Sequence, residues 1–394
     1  MKIHFYILDS FPYGMAAAKR RLCYAKGLMA EGHEIDVVVC RKCFDGEDDG
    51  LPCIGVFKGI HYNYVCGKKR SSNRILRKTD WFFGDFVKGA HYAIKNIRKN
   101  DIVYFYFYAN LFELVLLIIC KFKGAKTVRE VCEHPLALGN KTKWHRICCW
   151  FEFNLLFPLF DGFISISREL EKLVNKYKSS TAKNIVVPIL VEDDTVKVDE
   201  QVSKNPYDVP YIIHTGTMLE QKDSISKILR AFSRFKKETN SDCRLVFTGP
   251  QANEKCSYIP LMEKLGIRHS VDLLGLVSVE RVAVLQHYAT FTIIYKSDNL
   301  QTRNCFPTKL GEMLLSGIPV ITTNIGDVNI YLRDGESAFI IKEDDEDTLL
   351  YRMKELLMNA DLRNHIGNAG CSVARKYFSP ISQGKKLSVF FCNL

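Results

Sequence analysis

The sequence lacks the features that mark fibrous, disordered and membrane-spanning proteins. It contains no low-complexity tract and no repeat of solenoid length. Its longest apolar run, "LFELVLLIIC", includes Glu113 and is too short to cross a bilayer. The opening residues, "MKIHFYILDS", are typical of a strand and lack the basic region, apolar core and cleavage site of a signal peptide. We therefore expect a globular, cytoplasmic protein.

Several motifs of enzyme chemistry are also missing. There is no P-loop, no nucleophile elbow and no G-x-G-x-x-G fingerprint. We expect the fourteen cysteines to be reduced thiols. Cys40 and Cys43 have the spacing of a zinc pair, but no second pair follows, so we expect no metal site. Asp345 and Asp347 have a manganese-type D-x-D spacing but stand at a predicted helix start, where acids favour capping instead.

Negative charge is scarce in the first half of the chain. Residues 1–190 carry 30 Lys and Arg against 18 Asp and Glu, whereas residues 191–394 carry 25 against 26. The basic residues are dense in 68–78 and 141–146, which fits nucleic acid, an anionic membrane surface or simply a solvated helix. Aromatic residues do not alternate with the basic run, which disfavours nucleic acid. The apolar stretch 147–160 predicts a core helix and leaves an interfacial role open.

Strand-like and helix-like segments alternate along almost the whole chain. "IHFYIL" precedes a helical segment and "IDVVV", and the rhythm continues from "DIVYFYFY" to "NIVVPIL". After a charged, polar stretch it restarts at "YIIHTG" and continues to "AFIIK". This pattern predicts an α/β protein with two doubly wound, Rossmann-like domains that face each other across a cleft. Ligands of such sheets bind at the carboxyl ends of the strands.

The same pattern predicts the domain boundaries. We place the first domain at 1–190, a linker at 191–208 and the second domain at 209–378. Residues 379–394 are predicted to form a C-terminal helix that packs back on the first domain.

One carboxylate stands within the apolar helical stretch of "NCFPTKLGEMLLSGIPV", residues 304–320. Thr308 can cap a helix that starts near Lys309, which puts Glu312 one turn inside. Backbone amides at such a helix start bind anions such as a diphosphate, and the acid could accept two hydrogen bonds from a ribose diol. The alternative is a solvated or helix-capping glutamate.

Two glycine turns follow predicted strands of the second domain. "HTGTMLEQKD" puts Gly216 and Thr217 in a tight strand-to-helix turn. Lys222, just before the helix, could neutralise phosphate or simply face solvent. "FTGPQ" puts Gly249 in a second such turn.

These segments together resemble family 4 of the GT-B glycosyltransferases. "GTMLEQKD", "LVFTGP" and "NCFPTKLGEMLLSGIPVITT" are similar to the second domain of that family, and "KIHFYILDSFPYGMAAAKRRLCYAKGLMAEGHEIDVVV" to the first. The resemblance implies a retaining enzyme whose co-substrate is a nucleotide-diphosphate sugar and which needs no metal or other cofactor. It implies a second domain that binds the donor and a first domain that binds a glycan or polyprenyl-linked acceptor of cell-surface polysaccharide synthesis.

The resemblance also implies roles for individual residues. Glu312 would hold the donor ribose and Lys222 the diphosphate. Gly14 would lie close to donor and acceptor, and Val277 near the base. The remaining donor-binding candidates belong to the same segments: Gly216, Thr217, Gly249, Cys305, Phe306, Pro307, Thr308 and Lys309.

Three positions depart from the family pattern. Asn304 stands where a second Glu usually contacts the sugar, and we keep this uncharged amide as a catalytic candidate. Thr217 replaces an Arg whose charge Lys309 or Arg303 could supply, and Asp223 replaces a common Gly. These changes are also compatible with a protein that binds a sugar nucleotide but has weak or no transferase activity. A GT-B-shaped sugar-nucleotide epimerase is a further alternative, although it should carry more acids and histidines.

The acceptor side is expected in the first domain. "REVCEHP" ends a strand, so we expect Glu130, Glu133 and His134 to point towards the cleft. Glu133 and His134 are catalytic candidates. His134 could bond the donor sugar or help to deprotonate the acceptor, or it could be fixed by its own loop. Arg20 and Arg21 are acceptor-binding candidates: one would reach an acceptor diphosphate and the other would lie at the surface.

Overall fold

The computed structural model describes residues 1–14, 16–45, 49–73, 77, 86–106, 111–137, 142–192 and 204–394. The chain divides into two compact units, one made of Met1–Pro188 with Pro380–Leu394 and the other of Ile189–Ser379. Parts of the predicted linker and of both basic runs lie outside the described residues. Within the described part, no helix is long and apolar enough to cross a bilayer.

The first unit contains a single sheet with helices between its strands. Its described strands are β1 (Lys2–Ile7), β2 (Glu34–Val39), β3 (Ile54–Phe57), β4 (Ile60–Tyr64), β5 (Ile102–Tyr106), β6 (Lys126–Val131), β7 (Gly162–Ser165) and β8 (Lys183–Val186). Its described helices include α1 (Ala16–Ala30), α2 (Phe86–Asn96), α3 (Leu111–Lys123), α4 (Lys143–Phe151) and α5 (Arg168–Tyr177). A π-helical turn, Glu152–Leu156, and a 3-10 turn, Phe157–Leu159, continue α4.

The described strands of this sheet are ordered β3-β4-β2-β1-β5-β6-β7-β8. All pairs are parallel except β3 with β4, which form a hairpin around Lys58 and Gly59, both with positive φ. The order reverses direction between β1 and β5. Such a reversal opens a crevice at the carboxyl ends of the two strands, here Ile7 and Tyr106.

The second unit has a smaller parallel sheet. Its described strands are β9 (Tyr211–Thr215), β10 (Arg244–Thr248), β11 (Val271–Leu273), β12 (Phe291–Ile294), β13 (Val320–Thr323) and β14 (Phe339–Ile341). Its described helices are α6 (Glu220–Asp223), α7 (Ile225–Thr239), α8 (Ile259–Lys264), α9 (Val279–His287), α10 (Leu300–Asn304), α11 (Thr308–Leu315), α12 (Val328–Tyr331), α13 (Glu346–Met358) and α14 (Ala360–Tyr377).

The described strands of the second sheet are ordered β11-β10-β9-β12-β13-β14, and the order reverses between β9 and β12. Strands and helices share a core in which Ile212, Phe232, Phe247 and Ile321 are fully buried. Two sheets that are parallel except for the β3–β4 pair, with interleaved helices, confirm the predicted α/β class.

A last helix, α15 (Pro380–Cys392), returns to the first unit and packs on α1. The two helices cross with their backbones in contact, because a Cβ on Gly27 would overlap the Pro380 carbonyl oxygen and one on Gly384 would overlap the backbone of Gly27. His33, just after α1, is hydrogen-bonded through Nε2 to Ser388 Oγ at 2.7 Å. The helix is therefore an integral part of the first unit.

Candidate functional site

The candidate donor residues follow the two strands at which the second sheet reverses. After Thr215, the last residue of β9, the chain turns into α6, which carries Lys222. After Ile294, the last residue of β12, it runs through α10 to α11, which carries Glu312. Because α11 connects two parallel strands, its N-terminus lies at the carboxyl edge of the sheet. This edge is where doubly wound sheets bind ligands.

Hydrogen bonds hold α6 beside the connection that follows β12. Asn299 Nδ2 donates to the Gln221 carbonyl at 2.8 Å, and the hydroxyls of Ser224 and Ser297 are hydrogen-bonded to each other. The structure thus brings together the segment of Lys222 and the segment that leads to Glu312, as the sequence interpretation requires.

Lys296 is a charged member of this site that was not predicted from the sequence. Its ammonium pairs with the buried carboxylate of Asp223, which also accepts a hydrogen bond from Thr217 Oγ1 at 3.4 Å. Burial alone raises the pKa of Asp223, but Lys296 outweighs it and holds that pKa below its usual value. The signal was present, since Lys296 is the second residue after a buried strand that ends at the ligand edge.

Lys222 lies next to this ion pair and is half-buried. Within the described part of the chain, its ammonium has neither an acidic partner nor a hydrogen-bond acceptor. Because Lys296 balances Asp223, the charge of Lys222 remains available for an anion.

Helix α11 begins one residue earlier than predicted. Pro307 (φ −60°, ψ 106°) is its N-cap, and no side chain caps the helix. The predicted cap by Thr308 is therefore wrong: the proline already supplies the extended residue before the helix, so Thr308 lies inside it. Without a side-chain cap, the first amides of α11 can bind a ligand.

Glu312 lies one turn inside α11, and its side chain is 17% exposed. Its Oε2 is 2.7 Å from the ammonium of Lys309, one turn earlier. Arg303 is exposed and forms an ion pair with Asp298. Both cations proposed to replace the missing arginine thus pair with acids, and Lys296 is a third cation near Thr217.

Two close backbone contacts shape the loops at this edge. Gly249 has φ +139°, and a Cβ there would overlap the Gly216 carbonyl oxygen. Gly326 has φ +54°, and a Cβ there would lie 2.5 Å from the carbonyl oxygen of Cys305. Only glycine fits either position.

The segment before α11 is fixed through its side chains. Asn304 is largely buried and donates from Nδ2 to the Leu300 carbonyl at 2.8 Å. The Phe306 ring is buried against Tyr331 and Phe378, each with a centroid separation of 5.6 Å. Anchoring these side chains leaves the backbone of 305–307 as the part of the segment that can face a ligand.

Val277 lies in the loop between β11 and α9 and is half-buried. The loop ends at Ser278, whose hydroxyl caps α9 by accepting a hydrogen bond from the Arg281 amide at 3.2 Å.

In the first unit, Arg20 and Glu130 form a buried network. Arg20 Nε donates to Glu130 Oε1 at 2.6 Å, and its guanidinium also donates to the carbonyls of Val187 and Pro188. Burial raises the pKa of Glu130, but Arg20 and two tyrosine hydroxyls outweigh it and hold that pKa below its usual range. The predictions that Arg20 binds an acceptor and that Glu130 points outward are wrong, because Arg20 and Tyr24 share the face of α1 that covers the sheet.

Arg21 is also fully buried. The prediction that one of the two arginines lies at the surface is therefore wrong. Its Nη2 donates to Asp9 Oδ2 at 3.1 Å, and its guanidinium carbon lies 4.9 Å from the ring centroid of Tyr106. Nε and Nη1 have no partner in the described part of the chain. Buried donors are normally satisfied, so this guanidinium at the β1–β5 crevice is suited to an anion.

His134 is half-buried beside the carboxyl end of β6. Its Nδ1 accepts a hydrogen bond from the Leu136 amide at 3.2 Å, and its ring meets the edge of Phe153. Burial lowers the pKa of His134, so near neutral pH the ring is uncharged with its proton on Nε2. Its own loop fixes one nitrogen and leaves the other as a donor. Glu133, the preceding candidate, is also half-buried.

Gly14 lies in the exposed loop between β1 and α1. A Cβ there would lie 2.8 Å from Ser10 Oγ and from Ala18 Cβ. The Tyr64 hydroxyl fixes the loop, because it accepts from the Phe11 amide at 3.0 Å and donates to the Phe11 carbonyl at 2.8 Å.

The two acids of the D-x-D spacing make structural contacts. Asp345 caps α13 by accepting from the Thr348 amide at 3.0 Å, which confirms the predicted capping role. Asp347 pairs with Arg234 at 2.7 Å. In the described part of the chain, no three potential metal ligands lie together.

Residues 196–372 match the model of the family described as glycosyl transferases group 1. This match lies within the second unit. No curated protein sequence is significantly similar to the chain.

Solved structures show the fold of the chain. Sucrose-phosphate synthase from Thermosynechococcus elongatus superposes with a TM-score of 0.71 at 14% identity, over 100% of both chains. HepE from Anabaena, in complex with UDP and glucose, gives 0.72 at 13%, also over 100% of both chains. WaaG, a glycosyltransferase involved in lipopolysaccharide biosynthesis, gives 0.66 at 15%, over 98% of this chain and 99% of its own. The protein therefore has the GT-B fold.

Proposed function

We propose that this glycosyltransferase moves a sugar, with retention, from a nucleotide-diphosphate sugar to a glycan or polyprenyl-linked acceptor in cell-surface polysaccharide synthesis. The UDP and glucose bound by HepE and the lipopolysaccharide role of WaaG support this choice. The basic first half of the chain supports a place at the inner face of a membrane.

One observation carries the donor half of the proposal. Lys222, which has no acidic partner in the described part of the chain, lies beside the connection to α11, whose first amides no side chain caps. Lys222 and these amides bind the diphosphate. Glu312, one turn inside the same helix, accepts the ribose hydroxyls.

The acceptor half of the proposal relies on Arg21. Its guanidinium is fully enclosed, so its positive charge, rather than direct hydrogen bonds, attracts an anionic group of the acceptor, and the diphosphate of a polyprenyl-linked glycan has the required charge. Arg20 has no such role, since Glu130 and two carbonyls use its guanidinium.

In the proposed reaction, the bond between the sugar C1 and the diphosphate oxygen breaks through an oxocarbenium-like state. The acceptor oxygen bonds to C1 on the same face, and its proton passes to the leaving diphosphate. Lys222 and the α11 amides stabilise the charge on that diphosphate, so the chemistry needs no metal. His134 contributes a hydrogen bond from Nε2 to the sugar rather than acting as a base, because that nitrogen already carries the proton. Asn304, whose buried amide donates to the Leu300 carbonyl, adds no negative charge beside the sugar, which faces the backbone of 305–307.

A thermal-shift panel of nucleotide sugars tests the donor site. The true donor should raise the Tm of the wild type, with about 2.7 kcal/mol of stabilisation at a hundredfold excess over Kd. Glu312→Ala should lose most of that shift. The control is Glu336→Ala, which removes an exposed glutamate from a similar i,i+3 pair with Arg333 and should keep it. An unchanged shift in Glu312→Ala would mean that the ribose acid is misassigned.

Product analysis with the donor so identified separates the alternatives. Asn304, an amide at the usual acidic position, favours a sugar-nucleotide-binding protein without transfer as the second candidate. A glycosylated acceptor supports the proposal. A donor that binds but is returned unchanged supports the second candidate, and a donor returned as its epimer supports an epimerase.

A further inference from the structure

Helix α4 and the turns that continue it expose large apolar side chains in a row. Trp144 is 71% exposed, Ile147 56% and Trp150 59%. Leu155 and Leu159 continue the row and are also exposed. We call these five residues the tryptophan face. It includes two of the three tryptophans of the chain; the third, Trp81, lies outside the described residues.

The outward direction of this face is fixed by the opposite side of the helix. Thr142 caps α4, accepting from the His145 amide at 3.2 Å. His145 Nε2 lies 3.1 Å from the Pro135 carbonyl oxygen, which ties the inner side to the preceding loop. Cys149 and Phe153 are buried. With the inner side anchored, positions 144, 147 and 150, three residues apart, must lie on the outer side.

The charge around the face is positive. Lys143 and Arg146 are exposed on the same helix. Glu152 is the only acid of the sequence between 142 and 160, and it is buried in an ion pair with Arg129. No exposed acid therefore offsets the two bases within this described segment.

We propose that the tryptophan face is the surface through which the protein binds an anionic lipid bilayer. Tryptophan prefers the membrane–water interface, and a helix with an apolar outer face flanked by Lys and Arg lies in that interface. The bases attract anionic headgroups while the indoles and leucines enter the acyl boundary. This inference rests on the proposed function in one respect: a polyprenyl-linked acceptor is held in a membrane, which is why we choose a bilayer as the partner of this face.

The test is flotation with vesicles of phosphatidylcholine, with and without about 30 mol% phosphatidylglycerol. Wild-type protein should float with the anionic vesicles. Trp144→Ser/Trp150→Ser should bind them about tenfold more weakly, since two interfacial anchors are lost. The matched control Tyr351→Ser/Met358→Ser removes two exposed apolar side chains from α13 and should bind like the wild type. A second variant, Lys143→Glu/Arg146→Glu, should lose the preference for anionic vesicles.

Two results would overturn the proposal. One is a flotation result that shows no role for the face, whether because wild-type protein has no preference for anionic vesicles or because the double tryptophan variant floats as the wild type does. The other is a self-association of the wild type in sedimentation that the tryptophan variant abolishes, which would assign the face to a second copy of the chain. The donor-induced Tm shift, measured on the same variants, distinguishes the two proposals. If no nucleotide sugar shifts the Tm of the wild type, the donor site is refuted. Flotation tests only the tryptophan face.

Discussion

The Lys296–Asp223 pair determines the net charge of the candidate site. Asp223 is buried, and its carboxylate would repel a diphosphate if it were unpaired. Lys296 cancels that charge from the neighbouring strand end. Because Lys296 and Asp223 cancel, the positive charge of Lys222 remains uncompensated among these three residues.

Lys296→Met should lower the free energy of unfolding by about 3 kcal/mol, because it leaves a buried carboxylate without its partner. Adding Asp223→Gly should recover much of that loss. Urea unfolding measures both effects. Arg303→Met is the control, since it breaks an exposed pair with Asp298 and should cost about 0–1 kcal/mol. If the change in the free energy of unfolding of the double variant equals the sum of the two single changes, Lys296 and Asp223 are not coupled.

We expect Glu113 to make stability depend on pH. Burial raises the pKa of this carboxyl to about 7, although Arg129 opposes the shift. Because the unfolded pKa is about 4.3, the folded state holds the proton more tightly, so this stabilising contribution is complete below about pH 4 and is lost as pH rises to 7.

Glu113→Gln should therefore gain stability relative to the wild type when pH is raised from 5 to 8. Thermal unfolding at the two pH values measures the change. Glu169→Gln, which alters an exposed glutamate paired with Lys172, should show no such trend. If the difference between Glu113→Gln and wild type is the same at both pH values, Glu113 does not titrate in this range.

Sequence reasoning located Glu312 within its helix but misjudged Arg20. The position of Glu312 follows from the local pattern around Pro307, which the chain carries within a few residues. The burial of Arg20 depends on acceptors from distant segments, Glu130 and the carbonyls of Val187 and Pro188. A single sequence does not reveal which strands bring such partners together.

Helices α1 and α15 depend on two glycines for their close crossing. Gly384→Val should lower the free energy of unfolding by about 3 kcal/mol or more, because a side chain there meets the backbone of Gly27. Chemical denaturation measures the loss. Lys385→Val carries the same β-branched penalty on the exposed side of α15 and should cost about 0.5–1 kcal/mol. Equal losses in the two variants would show that the crossing tolerates a side chain.

Elements with a clear hydrophobic periodicity were predicted well, whereas elements that depend on a single turn were not. The segment 143–160 is helical as expected, although its winding changes at Glu152 and again at Phe157. The β3–β4 hairpin was missed because its strands are short. Its signal was Lys58-Gly59, a two-residue turn in which both residues have positive φ and the second is a glycine.

For the whole molecule, the βαβ rhythm predicted the α/β class but not the order of the strands. The reversals between β1 and β5 and between β9 and β12 decide where the crevices open, and they depend on long-range pairing. Gly14 was identified from the family resemblance and Lys222 from the glycine turn before it, and the structure places both after strands at these reversals. Lys296 was overlooked because the sequence did not show that β12 is the neighbour of β9.

The return of α15 to the first unit has a consequence for synthesis. The residues that complete the first unit leave the ribosome only after Ile189–Ser379 have been made. Until then, the surface of α1 around Gly27 has no α15 to cover it. We therefore expect the second unit to mature first, against the usual N-to-C order of domain folding.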